Sequence, residues 1–233
     1  MAKINKKRNQ KKSDETLVDL VEVGAQASSF YSRNQNILFG VLVGLVVIVG
    51  GVFAYNNFYK KPRQAEATEQ MFQAQLQFER DSFILALTNP GGGFYGFLDI
   101  IDNYGGTKAG NLANYYTGIS YLNLGKFEAA IDYLKTYNPS GDITPAVKFG
   151  ALGDAYSELG DMEKGMSYYK KASSQGGNEE LAAYYTMKVG LLYEKMGDVN
   201  GAKKAYEQLK KEFPNTTDGR NAEKYLARIN SKG

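Results

Sequence analysis

Two stretches of this sequence have the residue types and spacing for catalysis, and each lacks what would complete it. Asp99 and Asp102 stand three residues apart. That spacing sets two carboxylates on one helix face, where general acid–base chemistry could use them, but solvated pairs at this spacing are common. Gly91-Gly92-Gly93 could bring backbone amides to a phosphate. No Lys-Ser or Lys-Thr follows to reach the outer phosphates and magnesium. The 233 residues contain no His and no Cys. This excludes a His-based triad, a thiolate nucleophile, a disulfide framework and a lipidated N-terminal Cys. It also removes the usual transition-metal ligands. The expectation is a protein that is not an enzyme and uses no cofactor, metal or small-molecule substrate.

The remaining chemistry is recognition, and charge narrows its kind. The formal net charge is +3, unevenly spread. Residues 1–36 hold seven basic side chains (Lys3, Lys6, Lys7, Arg8, Lys11, Lys12, Arg33) against four acidic ones. Residues 37–63 add Lys60, Lys61 and Arg63 and no acidic side chain. Everything after Arg63 is mildly acidic with interspersed signs, unlike the concentrated basic field of a nucleic-acid-binding domain.

From Ile37 to Tyr55 the sequence ILFGVLVGLVVIVGGVFAY has no charge and no strongly polar side chain. A helix of this length matches the ~30 Å hydrocarbon core of a bilayer. Tyr31 before it, and Tyr55, Phe58 and Tyr59 at its end, suit the headgroup level. The segment is too long and too far from the N-terminus for a cleaved signal, and no small-x-small site follows. A transmembrane helix over 37–59 is expected. Within it Gly40 and Gly44 form G-x-x-x-G, the small-residue face on which a second transmembrane helix can pack. Before the span, residues 1–12 form a basic arm of disordered composition, and 13–36 a short amphipathic juxtamembrane segment. Such an arm can lie on anionic lipid, meet an acidic partner, or stay solvated. The cluster at Lys3–Lys12 favours a cytoplasmic N-terminus, whereas Lys60, Lys61 and Arg63 close to the span favour the opposite, so charge leaves sidedness open.

The rest of the chain repeats itself. YYTGISYLNLGKFEAAIDYLK from Tyr115, FGALGDAYSELGDMEKGMSYYKKA from Phe149 and TMKVGLLYEKMGDVNGAKKAYEQL from Thr186 align in register. Gly118, Gly153 and Gly190 share one column, and Tyr121, Tyr156 and Tyr193 another. Gly125, Gly160 and Gly197 form a third, then Ala130, Gly165 and Ala202, then Leu134, Tyr169 and Tyr206. The period is close to the 34 residues of a tetratricopeptide repeat, a pair of antiparallel helices. The small residues should sit where paired helices touch, the tyrosines should fill gaps between hairpins, and the third column should turn the chain through positive φ. Pro145 and Pro214 fall at junctions between hairpins.

The expected fold is all-α: a tetratricopeptide-repeat helical solenoid over 60–233, attached to a single N-terminal transmembrane helix. Its parts are a degenerate hairpin over 63–104, with a long helix from Arg63 to Leu87 and a second from Phe94 to Tyr104, then repeats at about 111–144, 146–178 and 183–215. A capping helix over 218–230 closes it. The first helices of such hairpins line a concave face. Here that face carries Leu112, Tyr115, Ile119 and Leu122, then Val147, Asp154 and Glu158, then Tyr184, Met187, Leu191 and Glu194. Tyr115 and Ile119 occupy positions where a carboxylate clamp would need charge and amide, so an apolar groove for an unfolded segment or amphipathic helix is expected. The alternative for each side chain is burial against the neighbouring hairpin.

A charged arm, one anchor, a long helix and degenerate hairpins together resemble the YfgM-like family, the ancillary subunit of the bacterial Sec translocon. The stretch FYGFLDIIDNYGGTKAGNLANYYTGISYLNLGKFEAAIDYL, Phe94 to Leu134, is similar to Bacteroidetes-type versions. The resemblance implies an inner-membrane protein with a cytoplasmic N-terminus and periplasmic repeats, whose partners are Sec translocon subunits, a membrane-anchored periplasmic chaperone and unfolded secretory proteins. A cell-envelope scaffold for outer-membrane assembly or secretion, and a cytosol-facing targeting receptor, are the alternatives.

Overall fold

The computed structural model describes residues 30–175 and 177–231. The basic arm and most of the juxtamembrane segment lie outside the described residues. The chain divides into two compact units, Met1–Lys61 and Pro62–Gly233.

In the first unit, α1 runs over residues 30–54 and passes into a π-helical turn at Tyr55–Lys60. Its apolar side chains, Ile37 to Phe53, are exposed. The most apolar 18-residue window has mean hydropathy 2.9 and none of it is buried. Among the described residues this is one helix long and apolar enough to cross a membrane. Asn57 closes the π turn, donating to the Phe53 carbonyl at 3.2 Å and accepting from Lys61 Nζ at 2.7 Å.

The second unit is helical throughout its described residues: α2 (Lys61–Glu79), α3 (Phe83–Thr88), α4 (Phe97–Tyr104), α5 (Lys108–Asn123), α6 (Phe127–Thr136), α7 (Thr144–Glu158), α8 (Met162–Ser173), α9 (Glu179–Lys195), α10 (Val199–Glu212) and α11 (Thr217–Asn230). The pairs α5–α6, α7–α8 and α9–α10 pack as hairpins, and the first helices touch in succession, α5 on α7, α7 on α9 and α9 on α11. This is the all-helical solenoid that the sequence columns imply. Pro145 lies in the first turn of α7, where its missing N–H costs nothing.

The glycine columns do two different jobs. Gly125, Gly160 and Gly197 have φ of 71°, 82° and 76° and end α5, α7 and α9. The next residue's N–H then returns to the carbonyl of Tyr121, Tyr156 or Tyr193 at 2.9 Å in each hairpin, closing the helix end. Gly118, Gly153 and Gly190 instead allow close approach. A Cβ there would lie 2.6 Å from Leu134, 2.4 Å from Tyr169 and 2.3 Å from Tyr206. Each first-helix glycine therefore receives the large side chain of its own second helix.

Three expectations need correction. The helix expected over 63–87 is broken: α2 stops at Glu79, Asp81 takes φ 56°, and the chain restarts as α3. Apolar spacing continues across the break, but Phe78 meets Phe83 edge-on at 5.5 Å and so folds the chain back within one turn. The helix expected from Phe94 begins at Phe97, because Gly91, Gly92 and Gly93 all have positive φ and Gly96 packs on the Leu87 carbonyl. Finally, two of the column tyrosines close their own hairpins rather than the gaps between them. Tyr121 stacks on Tyr133 at 5.6 Å and Tyr156 on Tyr168 at 5.3 Å, each ring reaching across to the second helix.

Candidate protein-binding surface

The candidate groove residues divide by what they touch. Leu112 is half-buried against the cluster of α2, α4 and α5 that contains Phe97 and Ile100. Tyr115, Ile119 and Leu122 pack against Ile131, Leu134, Ala151, Leu152 and Ala155, and so seal α5 to α6 and α7. Met187 packs on the cluster of α9, α10 and α11. Tyr184 and Leu191 stay open, each 38% exposed. Val147 is half-buried and Glu158 exposed.

Tyr115 sits in an aromatic seam, 5.8 Å from Tyr116 and 5.3 Å from Tyr137. Burial, with Tyr116 and Tyr137 beside it, pushes its hydroxyl up to about 12. The next ridge is built by α7, α8 and α9 together. Asp154 accepts from Lys188 Nζ at 2.5 Å and from the Tyr169 hydroxyl at 2.6 Å. The Lys188 ammonium also stands over the rings of Tyr169 and Tyr184, each 5.4 Å away. Burial pulls the Lys188 amine down, yet the Asp154 hydrogen bond and charge outweigh it and hold the amine above its usual value. Burial, then the Asp154 charge, raises Tyr169 well above the ordinary tyrosine range. Tyr185 lies edge-on to Tyr184 at 5.1 Å and fills the space that Gly150 leaves on α7.

Glu194 forms the third station. It accepts from the Tyr206 hydroxyl at 2.6 Å and from Arg228 of α11 at 2.5 Å, while Arg228 also covers the Tyr225 ring. Lys188 and Arg228 are the parts that sequence reasoning missed. Each sits 34 residues from its carboxylate, one repeat period away, and that offset is the signal that could have found them. Gly40 and Gly44 have nothing within 4 Å of a built Cβ, and α1 is bare at both. Among the described residues no group of His, Cys, Asp or Glu could hold a metal ion.

A sequence profile described as tetratricopeptide repeat matches residues 112–137 and 186–216, and a second with the same description matches 149–174. Each match spans one of the three hairpins. The folded unit is a tetratricopeptide-repeat solenoid. Solved structures agree at the level of fold. A Podosopora anserina kinesin-light-chain candidate with nearly identical TPR-like repeats is similar, at TM-score 0.57 and 13% identity over 72% of this chain and 87% of that one. A single-residue variant of that same protein gives TM-score 0.56 and 13% identity over 72% and 86%. No curated protein sequence matches the chain. Tetratricopeptide repeats are protein-interaction modules, so the repeat unit is an adaptor for protein partners.

Proposed function

We infer that this protein is a membrane-anchored adaptor of the Sec translocon, with its N-terminus cytoplasmic and its repeats periplasmic, where the inner helices receive emerging secretory chains. The observation that carries the partner reading is the pair of open apolar side chains Tyr184 and Leu191, set on a ridge whose neighbouring positions are closed by packing. An apolar strip flanked by Lys188 and Glu194 suits an unfolded or helical segment held by a few side chains, with backbone and polar groups at the rim. The apolar α1 and the resemblance across Phe94–Leu134 support the anchor and the translocon assignment.

Site-specific photocrosslinkers at Gly44 and Tyr184 test this in cells. Gly44 should capture channel subunits, and Tyr184 should capture nascent secretory chains and a membrane-anchored chaperone. Capture of outer-membrane assembly factors alone would favour an envelope scaffold. Lys60, Lys61 and Arg63 favour a cytosol-facing receptor, and protection of the repeats from protease in intact spheroplasts would establish that alternative. Gly44→Leu should weaken copurification of membrane partners, since the small-residue face is lost.

A further inference from the structure

The second helices carry a surface that the inner groove does not use. Glu163, Met166, Ser167, Lys170, Lys171 and Ser174 recur at helical spacing along α8, and with Met196 from the end of α9 they line a shallow hollow of about 550 Å³. Met166 is buried in the core of the α7–α10 cluster, while Met196 is 45% exposed, so the floor is two thioether side chains. Unbranched methionines adapt to irregular apolar partners.

Charge says what would lie there. Lys170 donates to the Tyr193 hydroxyl at 3.0 Å, and its ammonium stands 5.3 Å from that ring. Lys171 stands 5.1 Å over Tyr168. Among the described residues neither has a carboxylate within ion-pair distance, unlike Lys164, Lys188, Lys203 and Lys210. Tyrosine rings thus hold both ammoniums in place without neutralising them. The imbalance extends to whole helices of the last two hairpins. The second helix α8 has three lysines to one glutamate, and α10 has four to two. Their first helices lean the other way: α7 has one lysine to two acids, and α9 two to three. In these two hairpins the outer helices are basic where the inner ones are acidic.

We propose that this methionine-floored stripe on α8 docks an acidic amphipathic helix of a partner protein. Its apolar residues rest on Met166 and Met196, and its carboxylates face Lys170 and Lys171. From Glu163 to Ser174 the stripe spans about 17 Å of helix, three turns of a partner. Glu163 at the opposite end fixes the direction, because the partner's acidic end must lie beside Lys170 and Lys171. This surface is separate from the ridge at Tyr184, so either can hold without the other.

The test uses the full chain in detergent and a fluorescein-labelled synthetic helix with one leucine stripe flanked by glutamates, against its lysine-for-glutamate counterpart. The acidic helix should raise fluorescence anisotropy saturably, and the basic one should not. Lys170→Glu with Lys171→Glu should weaken binding on the order of tenfold, since two attractions become repulsions. Thermal melting should show the doubly substituted chain folded. Tyr184→Ser with Leu191→Ser should bind the acidic helix normally. Unchanged affinity after charge reversal, equal binding of both peptides, or loss of binding in the Tyr184 and Leu191 variant would overturn the proposal. So would a photocrosslinker at Ser167 that, in phosphatidylglycerol nanodiscs containing the peptide, labels lipid instead of peptide.

Discussion

Gly190→Ala adds one methyl group where the Tyr206 ring already sits. The new Cβ would lie 2.3 Å from Tyr206 Cε1, 2.7 Å from Cζ and 2.8 Å from Cδ1. Carbon pairs rest at about 3.5–4.0 Å, so the ring must retreat by more than roughly 1 Å. It has little room to do so. Tyr206 is 0% exposed, and its hydroxyl is held by Glu194 at 2.6 Å. Overpacking of this kind costs about 1–3 kcal/mol, with the high end expected where a pinned ring must move. Replacing a helix-interior glycine with alanine returns about 1 kcal/mol. The net expectation is a loss of about 2 kcal/mol. In a Tyr206→Ala background the obstacle is gone, and the same Gly190→Ala change should stabilise by up to about 1 kcal/mol. Urea unfolding of the four chains, followed by far-ultraviolet ellipticity in detergent, measures this cycle. The reasoning fails if Gly190→Ala is neutral with Tyr206 present, or if its penalty persists once the ring is removed.

Other perturbations probe the turns, the tyrosines and the groove. Gly160→Ala meets nothing within 4 Å but must hold φ near 82°, so its cost of about 1–2 kcal/mol is conformational alone; Gly160→Asn should lose less in the same urea titration. Tyr115, Tyr169, Tyr185 and Tyr206 are all raised, chiefly by burial. The folded state therefore keeps protons that the unfolded chain releases above about pH 10. Stability should be flat through neutral pH and then fall by about 1.4 kcal/mol per pH unit for each tyrosine still protonated. Tyr115→Phe should shallow that slope, as urea midpoints across alkaline pH would report. Tyr184→Ser and Leu191→Ser, both at exposed positions, should shift stability by no more than about 0.5 kcal/mol while removing crosslinks to the partner segment.

What the sequence made legible follows from which contacts are local. The columns at Gly118, Gly125 and Leu134 and their counterparts concern helices joined by a short turn, so their spacing along the chain is their spacing in space. The break after Glu79 was hidden because Phe83 and Leu87 continue the apolar periodicity, and only the ring contact between Phe78 and Phe83 shows that the chain has folded back. Bonds between hairpins were hidden for another reason. Asp154 finds Lys188, and Lys148 donates to the Tyr137 carbonyl at 2.5 Å, through the stacking of one hairpin on the next. No local pattern encodes that stacking. Burial of Tyr115 and Ile119 followed the same course: their helical face was readable, but whether a neighbour would cover it was not.

The glycine-to-ring lock also sets where this protein's length can change. In all three hairpins the locked pair is 16 residues apart: Gly118 with Leu134, Gly153 with Tyr169, Gly190 with Tyr206. From each large side chain to the next glycine the interval is 19 residues in one case and 21 in the other. An insertion inside the first interval would turn the second helix by about 100° per residue and carry the ring off its glycine. An insertion in the second interval only lengthens a connection. Engineered loops, tags or reporter domains therefore belong near Ser140 or Gln175, and never between a glycine and its ring.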